Sequence, residues 1–161
     1  MEKVPENGLE MGITALKSIL THIPLKNIMN KNVISVSLDE HFSAVPHKMR
    51  AHKIRHLPVV DDKYKLVGII TQRDLFKTIA PKKLEEGGWV YDDEELNQFV
   101  IGQVMNPKVK ALLPWDTVAE AVSLMVHRKY GGIPIVKKNG NLYGIVTQHD
   151  VLKMAADLVE G

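Results

Sequence analysis

The stretch Gly68-Ile69-Ile70-Thr71-Gln72-Arg73-Asp74 returns 76 residues later as Gly144-Ile145-Val146-Thr147-Gln148-His149-Asp150. Each copy begins as an apolar, β-branched run and ends in Thr-x-x-Asp ahead of further apolar residues, which predicts a strand feeding directly into a helix. Thr-x-x-Asp at such a junction is a capping-box variant: the hydroxyl accepts from a free helix N–H, and the carboxylate accepts from the threonine's own N–H. The same geometry suits a ligand. Free N–H groups and the positive end of the helix dipole favour an anion such as phosphate. A carboxylate one turn into the helix is placed to accept two charge-assisted hydrogen bonds from a vicinal diol such as that of ribose.

Outward from this string, Leu25 to Phe76 aligns without a gap on Ile101 to Leu152, with identities that include Met29/Met105, Asn30/Asn106, Lys53/Lys129, Pro58/Pro134 and Leu66/Leu142. A period of 76 is too long for a solenoid and suits a duplicated domain half. Each copy predicts the same order of elements. A short β-branched run (Val33 to Val36, Val109 to Leu113) comes first. A helix follows, with Phe42, Val45 and Met49 on one face in the first copy and Val118, Val122 and Met125 in the second. Pro46 removes a backbone donor there, which predicts a kink or a late start. Two strands come next: Leu57 to Val60 and Lys65 to Thr71 flank a polar turn, and Gly132 to Val136 and Leu142 to Thr147 flank Asn139-Gly140, a hairpin signal. A second helix starts near Gln72 and Gln148. The chain divides into an N-terminal segment (1–24), a first repeat (25–79), a joint (80–98) and a second repeat (99–161).

In the N-terminal segment Leu9, Ile13, Leu16 and Leu20 form a helical stripe, which predicts an amphipathic helix over 9–20 docked on the rest of the chain. The joint carries Pro81, Gly87-Gly88 and the acidic run Asp92 to Glu95 and reads as a linker holding a short helix; Trp89 and Tyr91 there are free to pack on the body or on a partner. With 161 residues the chain is long enough to bury a core. It has no cysteine, which excludes disulfides, thiolate chemistry and Cys-based zinc sites and suits the cytoplasm. Met1 to Glu6 carries acids where a signal peptide needs bases, and no stretch is apolar enough to span a bilayer, so a soluble protein is expected. The net charge of +2 is spread along the chain, and only the pairs Lys82-Lys83 and Lys137-Lys138 speak for nucleic acid.

Taken together, Met29 to Val36, the helix to Lys53, Arg55-His56-Leu57-Pro58-Val59-Val60-Asp61, Leu66 to Thr71 and Asp74-Leu75 resemble the CBS domain, named for cystathionine β-synthase, and the second copy resembles another. The resemblance implies an α+β fold of two β-α-β-β-α repeats packed with pseudo-twofold symmetry. It also implies clefts that bind an adenosyl ligand (AMP, ADP, ATP or S-adenosylmethionine), a homodimer, and regulation of a partner protein. Carried over by residue, Asp74 and Asp150 would hold ribose hydroxyls, and Thr71 and Thr147 would meet the ribose or first phosphate. Val109 and Lys110 would enclose the adenine beside Asp74, and Val33 and Ile34 beside Asp150. Arg55 and His56 stand at phosphate-binding positions, and Arg73 and His149 lie within the ligand string. The second copy has Gly131-Gly132 in place of Arg55-His56, which predicts one strong cleft and one weak or different one.

Catalysis and metal binding are not expected. The serines lack an elbow or a paired base, and His52 and His56 are four apart but fall on different elements, with no further ligand placed beside them. The competing reading is a structural dimerisation domain without bound nucleotide, in which the Thr-x-x-Asp strings only cap helices.

Overall fold

The computed structural model describes residues 6–160, with side chains from residue 8 onward, so the charge pattern at the extreme N-terminus lies outside them. Helix α1 (Glu6–His22) and a 3₁₀ turn at Leu25–Asn27 lead into the first copy, which runs β1 (Val36–Ser37), α2 (Ala44–Ala51), β2 (His56–Val60), β3 (Leu66–Thr71) and α3 (Gln72–Thr78). The joint holds β4 (Lys82–Lys83), β5 (Trp89–Val90) and α4 (Asp93–Leu96). The second copy runs α5 (Ile101–Val104), α6 (Val118–His127), β6 (Gly132–Val136), β7 (Leu142–Thr147) and α7 (Gln148–Glu160), with one parallel bridge, Leu112 to Ile135, where the first copy has β1. The β-α-β-β-α order is therefore present, and the fold is α+β. No helix among the described residues is long and apolar enough to cross a membrane.

The chain condenses into two units that cut across the repeats. The first takes α1 and the chain to Lys31, then Leu112–Ile135 and the chain from Gly144; the second takes Asn32–Ala111 and Val136–Tyr143. The opening stretch of each copy thus belongs with the third strand of the other. In the first unit Asn30 N–H donates to Ile145 O at 2.9 Å and Ile145 N–H returns a bond at 3.1 Å. In the second, Asn106 N–H donates to Ile69 O at 2.9 Å, answered by Ile69 N–H at 3.1 Å. The neighbouring glycines permit this crossing: a Cβ on Gly144 would stand 3.0 Å from Asn30 O, and one on Gly68 would stand 3.2 Å from Asn106 O and collide with the Met105 sulfur.

In the second unit the sheet order is β1-β2-β3, with β1 parallel to β2 and β3 antiparallel to it. Phe42, just ahead of α2, and Val45 and Met49 on its buried face share one core with Leu57, Val59 and Ile70, each such side chain contributing about 1.5–3 kcal/mol. Pro46 is the third residue of α2, so the helix starts late and does not kink, its first turn having no use for the missing donor. The first strand is shorter than its β-branched run predicts: only Val36 and Ser37 pair, with Val59 and Val60. The cause is Pro58. In a parallel ladder the carbonyl two residues before Val36 needs an N–H from position 58, which proline lacks.

The joint is more than a linker. It folds as a two-stranded hairpin, β4 with β5, turned by Gly87 and Gly88 at positive φ, and then inserts Leu96, fully buried, into the core of the second unit. Ser43 N–H donates to Asn97 Oδ1 at 3.1 Å and His47 Nε2 meets Asp93 Oδ1 at 2.8 Å, which ties this segment to α2. Tyr91 packs against that core and Trp89 is exposed.

In the first unit α6 opens with a complete capping box between Thr117 and Glu120 and buries Val118, Ala121 and Met125. The chain reaches it through Leu25 N–H to Asp116 O at 2.8 Å and Val118 N–H to Ile23 O at 3.0 Å. The expected docking of α1 through its stripe is not what the structure holds: α1 meets α6 and Leu20 is half-buried, but Leu9, Ile13 and Leu16 stand 59%, 58% and 55% exposed. Periodicity says which face of a helix is apolar and not what covers it.

Candidate functional site

At the start of α3 the extended backbone of Thr71 turns into the helix, and the capping box closes. Thr71 N–H donates to Asp74 Oδ2 at 2.8 Å, the Thr71 hydroxyl donates to the same oxygen at 2.6 Å, and Asp74 N–H donates to Thr71 Oγ1 at 3.3 Å. At the start of α7, Thr147 N–H and its hydroxyl each reach Asp150 Oδ2 at 2.7 Å. Both carboxylates therefore cap their helices through Oδ2 alone. Among the described residues neither Oδ1 accepts a hydrogen bond, and both aspartates are half-buried. A carboxylate so placed is able to cap and to accept from a ligand hydroxyl at the same time.

Arg55 and His56 stand beside the first of these carboxylates. Gln72 N–H donates to Arg55 O at 2.9 Å, fixing the residue before β2 against the opening of α3. Burial holds the His56 imidazole below its ordinary pKa, the neighbouring Arg55 guanidinium pushes it the same way, and Asp74 opposes both. His56 is thus a neutral, half-buried base between a cation and an anion. In the second copy Gln148 N–H donates to Gly131 O at 3.1 Å, the same link with no side chain on it. The glycine pair leaves Asp150 without the two bases.

Of the remaining positions singled out in the sequence, Arg73 and His149 project from the first helical turns and are exposed. Val109 is half-buried and Lys110 exposed on the stretch that leaves the Asn106 crossing, in the same unit as Asp74. Val33 and Ile34 are half-buried and belong to the second unit, whereas Thr147, His149 and Asp150 belong to the first.

Within the first unit Asp150 lines a groove of about 560 Å³ together with Met29, Asn30, Lys153, Met154 and Asp157, a volume in the range of small-molecule sites. The residues from the opening of the first copy that share this groove are thus Met29 and Asn30, upstream of Val33 and Ile34. Lys153 and Met154 were not foreseen. The signal was available: Lys153 lies three residues beyond Asp150 on the same helix face, and Lys77 stands in the same relation to Asp74.

Comparison with known proteins agrees with this architecture. Residues 25–81 and 101–157 each match the CBS domain. A CBS domain-containing protein of Dictyostelium discoideum is 31% identical over 138 residues, covering 84% of this chain and 93% of that protein; of three other curated relatives the chain spans 65%, 36% and 22%. A CBS domain pair solved in complex with 5′-methylthioadenosine and S-adenosyl-L-methionine superposes with a TM-score of 0.68 at 25% identity, covering 83% of this chain and 96% of that one. The CBS domain of a membrane protein from Sphaerobacter thermophilus superposes with a TM-score of 0.72 at 27% identity, over 92% and 97% of the two chains.

Proposed function

This chain belongs to the CBS domain family, and from that premise we propose that it is a regulatory, non-catalytic module that binds an adenosyl ligand (AMP, ADP, ATP or S-adenosylmethionine) and modulates a partner protein in trans. The observation that carries the reading is the pair of capping aspartates, each with one oxygen on its threonine and the other open to a ribose diol. The solved pair with adenosyl compounds bound lends the ligand class. Thr71, Asp74, Arg55 and His56 form the phosphate-favouring site, with Arg73, Val109 and Lys110 as further contacts. Thr147, Asp150 and His149 form the second site, within the first unit. The setting is cytoplasmic, in keeping with a chain that has no cysteine. The active species is a homodimer built on the exposed apolar side chains Val126, Leu152 and Leu158 of α6 and α7.

A purely structural role has one observation in its favour, since the capping bonds alone give both threonines and both aspartates an occupation. A thermal-shift screen against AMP, ATP, NADH and S-adenosylmethionine separates the two. An adenosyl ligand at about 100 times its dissociation constant adds roughly 2.7 kcal/mol to stability, a rise of several degrees. No shift with any of the four compounds at millimolar concentration favours the structural role.

A further inference from the structure

We propose that the outer part of α1 is a self-association surface that pairs antiparallel with α1 of a second copy. Every residue from Leu9 to Ile19 is exposed, so among the described residues three turns of helix bury no side chain. Gly12 lies in the middle of that stretch, weakens it, and has open space where a side chain would be. A helix of 17 residues with such an interior is marginal by itself in water and calls for a partner.

The sequence of α1 names the partner. Leu9, Ile13, Leu16 and Leu20 follow the alternating four- and three-residue spacing of a coiled-coil seam. Paired antiparallel with itself, the seam sets Leu9 against the partner's Leu20 and Ile13 against the partner's Leu16. The flanking charges then fall into place: Glu10 and Lys17 occupy equivalent flanking positions seven residues apart. An antiparallel twofold puts each Glu10 beside the partner's Lys17, twice by symmetry. Among the described residues neither charge has an ion pair, and seven residues is too far for one on the same helix. Parallel pairing offers neither charge an opposite sign. A lipid surface is a poor fit as well, because residues 8–22 carry one acid and one lysine and so lack the basic face that anionic headgroups select.

The test is the mass of the full chain by light scattering at tens of micromolar. The double variant Ile13→Asp/Leu16→Asp touches only exposed positions, so the body should melt at the parent's temperature while the mass halves. Glu10→Lys and Lys17→Glu should each weaken association severalfold, and an equimolar mixture of the two should restore it, since only the mixed pair has opposite charges at both contacts. A parent that runs as an 18.1 kDa monomer, or an Ile13→Asp/Leu16→Asp variant with the parent's mass, overturns the surface. Halving of the mass without rescue on mixing overturns the antiparallel arrangement.

Discussion

The helix starts at Thr71–Asp74 and Thr147–Asp150 share their hydrogen-bonded frame and differ in what stands next to it. In each, threonine N–H and hydroxyl converge on one carboxylate oxygen, a crossing chain pairs with the strand that feeds the helix, and a glycine makes room for it. Beside the first lie Arg55 and His56, and beside the second Gly131 and Gly132. The shared frame is what a strand-to-helix junction needs in order to fold. The neighbours are what a ligand would tell apart. Duplication has kept the first and let the second diverge, so the two sites are expected to agree in stability and disagree in chemistry.

The largest effect on stability should come from breaking the shared frame. Gly68→Val and Gly144→Val each drive a branched side chain into the backbone of the crossing strand, and each should cost about 1–3 kcal/mol by overpacking, read from the denaturant midpoint. Similar costs sharpen the equivalence of the two junctions, and a cost at one site only breaks it.

The largest effect on affinity should come from the exchange of neighbours. Arg55→Gly/His56→Gly makes the first copy resemble the second and removes charge-assisted contacts of about 1.5–3 kcal/mol each. Affinity for AMP at that site should fall tenfold or more by calorimetry, with little change for adenosine. Equal losses for AMP and adenosine would show that the bases act on the fold and not on phosphate.

A smaller effect concerns protons. His56 has a folded pKa below its ordinary 6.5, so below that pH the unfolded chain takes up the proton first. Its contribution is complete above pH 6.5 and is lost as pH falls toward and through the folded value. A phosphate beside it reverses the shift. AMP binding near pH 6 should therefore take up protons, detected as a dependence of the binding heat on buffer ionisation enthalpy, and His56→Gln should abolish the dependence. The smallest effect is expected from Thr71→Ser and Thr147→Ser, because serine caps as well as threonine; urea melts should move by less than about 0.5 kcal/mol at both sites.

Much of this was legible in the sequence for local reasons. Thr-x-x-Asp encodes its own hydrogen bonds, Asn139-Gly140 its turn, and Pro46 the late start of α2. Features that depend on distant partners were harder. Pro58 shortens β1, which lies more than twenty residues away, and the polar Lys82-Lys83 strand has no alternation to announce it. The crossings at Asn30 and Asn106 are tertiary, as is the burial of Leu96 from a stretch that reads as a linker. At the candidate site, the carboxylates and bases stand out by residue type, whereas Lys153 is marked only by its spacing from Asp150, and its place in the groove depends on the fold around α7.

In the proposed function each aspartate caps a helix with one oxygen and binds a ribose with the other. Titrating AMP and ATP calorimetrically into the parent, Asp74→Ala and Asp150→Ala tests it directly. At least a tenfold loss of affinity is expected at the altered site, with Asp74→Ala removing the tighter phosphate-bearing site, on top of about 1 kcal/mol of ligand-free stability lost with the cap. Variants that melt earlier without ligand and yet bind both nucleotides like the parent would contradict it.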